Sequence, residues 1–236
     1  MSEPRDAYLS PGEFIDSDHP AVREFAAAHA RGESDLERAV SLYYAVRDGI
    51  RYNPFLDFSQ DAAYRASSTL ERGEGFCVGK SALLAACARS LGIASRVGFA
   101  DVKNHLTTPR LRERMGGTDL FIYHGYAELL LDGKWVKATP VFNDELCRRF
   151  RVKPLEFDGR ADSIFHPFDA DDRRHMEYVN DHGTFADVPA QRIQREFRAY
   201  YPNTFTLGEG AARETFGRAC RHPVGPDRER QMSPGL

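Results

Sequence analysis

Cysteine is scarce in this chain. Cys77, Cys87, Cys147 and Cys220 lie far apart in 236 residues and form no CxxC pair. That excludes the disulfide density of a stapled secreted domain and fits free thiols in a reducing cytoplasm. No run of about 18 apolar residues occurs, and the opening MSEPRDAYLSPGEF lacks a basic stretch followed by an apolar core, so a soluble, unexported protein without a membrane partner is expected. Charge of one sign is not in excess. A net charge of −3 and a pI near 6.3 exclude a grip on nucleic acid through bulk electrostatics. Internal repeats and low-complexity tracts are missing as well. Gly73-Glu74-Gly75 is not followed by the remainder of a G-x-G-x-x-G loop, so no dinucleotide cofactor is expected.

What is present suits one domain with a sizeable core, since 42% of residues are hydrophobic. Ser17, Asp18 and Pro20 open a helix over about 20–31 that Gly32 closes. Ser34 and Glu37 form a capping-box pattern ahead of Leu36, Val40, Tyr43, Val46 and Ile50, a second helix ending near Tyr52-Asn53-Pro54. Residues 55–75 read as irregular. The run CVGKSALLAACARSL, Cys77 to Leu91, reads as a buried central helix with Gly92 as its stop. Strands follow at about 93–102 and 119–131, and Asp132-Gly133 is a hairpin signal. Leu131 should then face Lys134, Leu130 should face Trp135, and His124 should face Val141. Beyond Asn143 the pattern weakens until a helix over about 189–200. Helices followed by a strand meander give an α+β fold. The expected organisation is an extension over 1–16, a domain over 17–202 with a cap over 144–202, and a loosely held tail over 203–236.

The chemistry-bearing candidate is Cys77. A helix N-terminus offers unpaired N–H groups and a dipole that favour a thiolate, and the same N–H groups can stabilise an oxyanion. A free cysteine is also among the most buried residue types, so position alone does not make it a nucleophile.

The segment GEGFCVGKSALLAACARSLGIASRVGFADV resembles the surroundings of the active-site cysteine in the transglutaminase-like superfamily, whose fold is related to papain. The likeness continues in YHGYAELLLDGKWVKATP, similar to the histidine strand, hairpin and Trp-bearing strand of that family, and in the upstream AVRDGIRYNP. It covers about residues 35–143. The resemblance implies Cys77 as nucleophile and His124 as its base, 47 residues later. It also implies an Asp after the Trp strand, but this chain reads Trp135-Val136-Lys137-Ala138-Thr139-Pro140, with Thr139 in that place. In the hairpin count Thr139 and Asn143 are the diagonal neighbours of His124, within reach of its ring. Asn143 is the preferred orienting residue, because a neutral carbonyl can hold an imidazole N–H. Asp101 and Asp144 are alternatives if the fold bends.

Residues 101–118 form a long insertion between two strands, of the kind that serves as a lid or binding loop, and offer Asn104 and His105 as substrate contacts. Tyr52 and Tyr126 are further candidates. His166, Asp169, His175, Glu177 and His182 form a loose ligand-type group without tight metal spacing, better read as a polar cap than a metal site. The expected activity is formation of an acyl-enzyme on Cys77 that hydrolyses or transfers an amide, with a peptide or small amide as partner and no cofactor. Hydrolysis is preferred to cross-linking, since no EF-hand-type calcium site is seen. The alternative is a degenerate domain that binds a peptide or protein without chemistry.

Overall fold

The structure is a computed structural model that describes residues 5–104, 107–164, 176–201 and 203–204. Helix α1 (Pro20–His29) begins with Pro20 at its first turn, where a missing N–H costs nothing. Helix α2 (Asp35–Gly49) carries the full capping box, Ser34 Oγ accepting from the Glu37 amide and the Glu37 carboxylate accepting from the Ser34 amide. A two-residue strand β1 (Arg51–Tyr52) pairs in parallel with β2 (Glu74–Gly75).

Between them lies a helix that the sequence pattern did not suggest, α3 (Ala66–Arg72). It has no side-chain cap of its own. Its first amides are satisfied from far along the chain, Ala66 N–H by the Phe14 carbonyl and Ser67 N–H by Asp16 Oδ1, and Gly73 closes it at φ 64°. Tertiary partners, not local propensity, make this helix.

Helix α4 (Cys77–Ser90) is the centre of the molecule. Helices α1, α2 and α3 pack on one side of it and a four-stranded sheet on the other. Burial on all sides explains its uniform Ala/Leu composition, each fully buried Leu contributing about 1.5–3 kcal/mol. Gly79 is required there, because a Cβ would fall 2.6 Å from Thr69 Oγ1 and 2.8 Å from the Ala63 carbonyl. Lys80 departs from the apolar pattern, as Ser81 and Arg89 do; it is fully buried, and its Nζ donates to the Arg47 and Ile50 carbonyls at the end of α2. Desolvation lowers its pKa to about 7 despite those bonds.

The sheet is antiparallel in the order β5-β4-β3-β6, with β3 (Ser95–Asn104), β4 (Leu120–Leu131), β5 (Lys134–Ala138) and β6 (Met176–Phe185). The turn at Asp132-Gly133 has both residues at positive φ, and the pairs Leu131–Lys134 and Leu130–Trp135 form as the hairpin signal implies. The ladder ends at Ala127–Ala138, so Val141 does not face His124. Pro140 has no N–H to continue the pairing, and Ala138 bridges to Ser163 instead. The sheet neighbour of His124 is Ala100 on β3.

The insertion holds α5 (Pro109–Arg114), and two elements occupy the region where periodicity fades: α6 (Asp144–Phe150) and β6. Strand β6 is an edge strand whose residues are mostly exposed and polar, so no apolar alternation marks it. Helix α7 (Ala190–Tyr200) follows as expected. Asp187 between them accepts the amides of Glu13, Phe14 and Ile15 at 2.7–3.1 Å, and Phe14 and Ile15 are in the core. The segment before α1 is thereby tied to the C-terminal third.

Candidate active site

Cys77 is the first residue of α4, preceded by Phe76, which contributes no side-chain cap. The backbone amides of Gly125, Val78 and Cys77 itself act on the sulfur and favour the thiolate. Burial is the larger effect, since Cys77 is 8% exposed, and it pushes the thiol up to about 11. The depression expected from a helix N-terminus alone is therefore outweighed.

Strand β4 crosses directly over this helix start. A Cβ on Gly125 would lie 3.0 Å from Val78 Cα and 3.4 Å from the Cys77 carbonyl carbon, so a larger residue would push the two backbones apart by a few tenths of an ångström, and glycine lets the amide approach the sulfur without that shift. Sequence reading missed Gly125; the available signal was a glycine inside an apolar strand, which marks close backbone approach. His124, its neighbour, is buried, and its Nδ1 lies 3.3 Å from the Gly125 carbonyl.

Cys77 and His124 line one cleft together with Tyr52, Phe121, Phe197 and Tyr201. A second cleft shares the walls Tyr52, Leu111 and Phe121 and continues past Asn104, Phe142, Leu146 and Phe150. Leu111 belongs to α5 and Leu146 to α6, so the insertion and the segment after the hairpin both shape this groove. Arg114 anchors α5 by donating to the Leu56 carbonyl. The Tyr52 hydroxyl is held well above the usual phenol range, first by burial and then by the nearby Cys77.

The remaining candidates separate clearly. Tyr52 and Asn104 line the groove. Tyr126 does not; its ring covers Gly98 and lies under Lys137, in a different cleft with Ala100, Tyr178 and Asp181. Gly125, not Tyr126, is the residue of this stretch that approaches the start of α4. His105 lies outside the described residues. Thr139 donates its hydroxyl to the Ser163 carbonyl at 2.8 Å, and Asn143 accepts the Tyr52 amide at 3.5 Å while standing at the start of α6. Asp144 accepts an ion pair from Arg148, and its amide donates to Asp48.

Asp101 accepts from the Tyr123 amide at 3.0 Å and pairs with His182 Nε2 at 2.7 Å. His182 thus leaves the ligand-type group for a carboxylate partner, while His166, Asp169 and His175 lie outside the described residues. Among the described residues no group of three or more His, Cys, Asp or Glu could hold a metal ion, and no helix is long and apolar enough to cross a membrane.

Solved structures of several other proteins resemble the chain. A candidate cysteine protease from Cytophaga hutchinsonii is 15% identical, with a TM-score of 0.44, 78% of this chain covered and 55% of that one. A candidate protease from Parabacteroides distasonis is 16% identical, with a TM-score of 0.38, 57% of this chain covered and 25% of that one. A structure described as a TGase is 17% identical, with a TM-score of 0.37, 59% of this chain covered and 33% of that one. The chain spans about half or less of the length of each. Curated proteins give no match. The family model of the transglutaminase-like superfamily matches residues 23–140, half of the chain, a span that runs from α1 through the Cys77 helix to the end of the Trp135 strand. By that match the chain belongs to the transglutaminase-like superfamily.

Proposed function

We propose that this protein is a thiol enzyme in which His124 takes the proton of Cys77 and the thiolate attacks an amide carbonyl. The observation that carries the reading is the meeting of Cys77, at the start of α4, and His124, beside Gly125, in one buried cleft. The carbonyl oxygen, becoming an oxyanion, would accept hydrogen bonds from amides at the helix start. His124 returns its proton to the leaving amine, and water or a second amine resolves the acyl-enzyme. We favour hydrolysis of a peptide-like amide. The apolar walls of the adjoining groove, Phe142, Leu146 and Phe150, support an apolar side chain next to the scissile bond. The free thiols Cys77, Cys87 and Cys147 support a reducing, cytoplasmic setting.

A second reading, a binding domain without chemistry, is favoured by two observations. Thr139 stands where the family carries its acid and gives its hydroxyl to Ser163, and burial holds the Cys77 thiol near 11. Iodoacetamide labelling of Cys77 across pH separates the two readings. An enzyme labels at pH 7, and His124→Ala lowers that rate by about 100-fold or more, leaving a thiol that ionises only towards pH 11. Identical profiles for wild type and His124→Ala would sink the enzyme. Turnover of a panel of peptide, glutamine and isopeptide amides, abolished by Cys77→Ala, then identifies the substrate.

A further inference from the structure

The ladder between β3 and β4 breaks next to His124. Ala100 pairs with His124 and Val102 with Phe121, so Asp101 alone stands opposite two residues, Ile122 and Tyr123. This is a β-bulge, and it places Tyr123 at φ 52°, a left-handed conformation that a bulky side chain rarely adopts. A bulge also removes amides from the ladder, and buried amides need acceptors. Here two side chains supply them. The Ile122 amide donates to the Tyr201 hydroxyl at 2.6 Å, and that hydroxyl donates to the Leu120 carbonyl at 2.7 Å. The Tyr123 amide donates to Asp101 Oδ1.

Asp101 is itself fixed from the other side. Strand β6 steps past β3 irregularly at the same level, with Phe99 paired to Gly183 and Ala100 to Asp181, so His182 is the extra residue. His182 Nε2 reaches Asp101 Oδ1, and Asn180 Nδ2 donates to Asp101 Oδ2 at 3.3 Å. The His182 ring also stacks on Tyr123, with centroids 4.0 Å apart and planes 9° apart. Amide and ring of the strained residue are therefore both held, by one carboxylate and the imidazole bound to it.

We propose that Asp101 is a positioning residue for His124, fixing the kink at Tyr123 that aims the imidazole into the Cys77 cleft, with His182 fixing Asp101. The carboxylate acts through the backbone of the histidine strand. It is supplied from β3, whereas position 139, at the end of the neighbouring strand, carries a hydroxyl committed to Ser163. This proposal rests on the thiol-enzyme reading above.

The ratio of Cys77 alkylation rates at pH 7 and pH 10 tests it, because the low-pH rate depends on His124 and the high-pH rate on the thiol alone. Asp101→Ala is expected to lower the pH 7 rate by about 10- to 100-fold while the pH 10 rate stays within about twofold. Asp101→Asn keeps an acceptor for the Tyr123 amide and is expected to restore the pH 7 rate to within about fivefold of wild type. A purely structural role would lower both rates together. Where Asp101→Ala does not fold, His182→Phe carries the test: it keeps a ring on Tyr123, loses the bond to Asp101, and is expected to lower the ratio about threefold. An unchanged ratio in Asp101→Ala, or in His182→Phe where that variant stands in, overturns the proposal. So does an Asp101→Asn variant as impaired as Asp101→Ala. The wild-type and His124→Ala profiles separate the failures. Without a His124-dependent rate at pH 7 the enzyme reading falls and this proposal with it; with that rate present and the ratio unchanged, this proposal falls alone.

Discussion

Cys77 takes its place from residues beside it in the chain, whereas His124 takes its place from residues far along it. The turn at Gly73, the strand Glu74–Gly75 and the start of α4 deliver the thiol within a few positions. The imidazole follows a strained bulge held by Asp101 from β3, His182 from β6 and Tyr201 after α7, partners 22 to 81 positions distant along the chain. A local device tolerates change elsewhere. A device assembled from four elements fails when any one of them moves, so mutations remote from the cleft should act on the histidine side and spare the intrinsic ionisation of the thiol.

The sharpest way to break this contrast is to separate the two sides where they touch. Gly125→Ala places a methyl against Val78 Cα at 3.0 Å, which pushes β4 and the start of α4 apart by a few tenths of an ångström and lengthens the contact of the Gly125 amide with the sulfur. We expect a cost of about 1–3 kcal/mol in urea unfolding and a fall of about 100-fold or more in Cys77 alkylation at pH 7. A fully stable and reactive Gly125→Ala protein would show that close approach is not what joins the two sides.

The thiol side is not wholly local either, and Lys80 sharpens that point. It lies one turn along α4 from Cys77 and docks the helix on the end of α2 through two carbonyls. Its folded pKa is about 7 against 10.5 for the free group. Below pH 7 both states hold the proton, and the cost of burying the charge is fully present. As pH rises above 7 the folded protein releases a proton that the unfolded chain keeps, so stability increases. Above about pH 8 the raised thiols of Cys77, Cys87 and Cys147 oppose this, because the unfolded chain ionises them first. Urea unfolding should therefore show stability rising by about 1 kcal/mol between pH 7 and 8. Lys80→Met should flatten that rise, and a wild-type curve that is flat or falling over this window would contradict the assignment.

The same division decided what the sequence made legible. The capping box of α2, the Ala/Leu helix and the Asp132-Gly133 hairpin are local patterns, and each appears where its residues place it. Helix α3 and strand β6 carry no comparable pattern. The first begins on acceptors from residues 14 and 16, and the second is an exposed edge whose registry is set by Asp101 and His182. Counting outward from the hairpin gave the correct pairs as far as Ala138, then failed because Pro140 ends the ladder. Asp101 stands in the sequence only as an alternative beside Asp144, behind Asn143 and Thr139; its place opposite a bulge is a property of the sheet.

Thr139 gives the smallest effect and the most direct check on which strand orients the histidine. Its side chain is almost fully buried, and its hydroxyl donates to the Ser163 carbonyl at 2.8 Å, beside the bridge that joins Ala138 to Ser163. Thr139→Val keeps the shape and removes that donor, leaving a buried acceptor short of a partner, so a loss of about 1 kcal/mol in unfolding is expected. Because the Asp101 bulge lies on the opposite edge of β4 from β5, alkylation of Cys77 at pH 7 should change by less than about threefold. A fall of about tenfold or more, with the pH 10 rate preserved, would transfer the orienting role to the Trp135 strand and make the two sides of the cleft alike, both built from the hairpin and helix that the sequence displays.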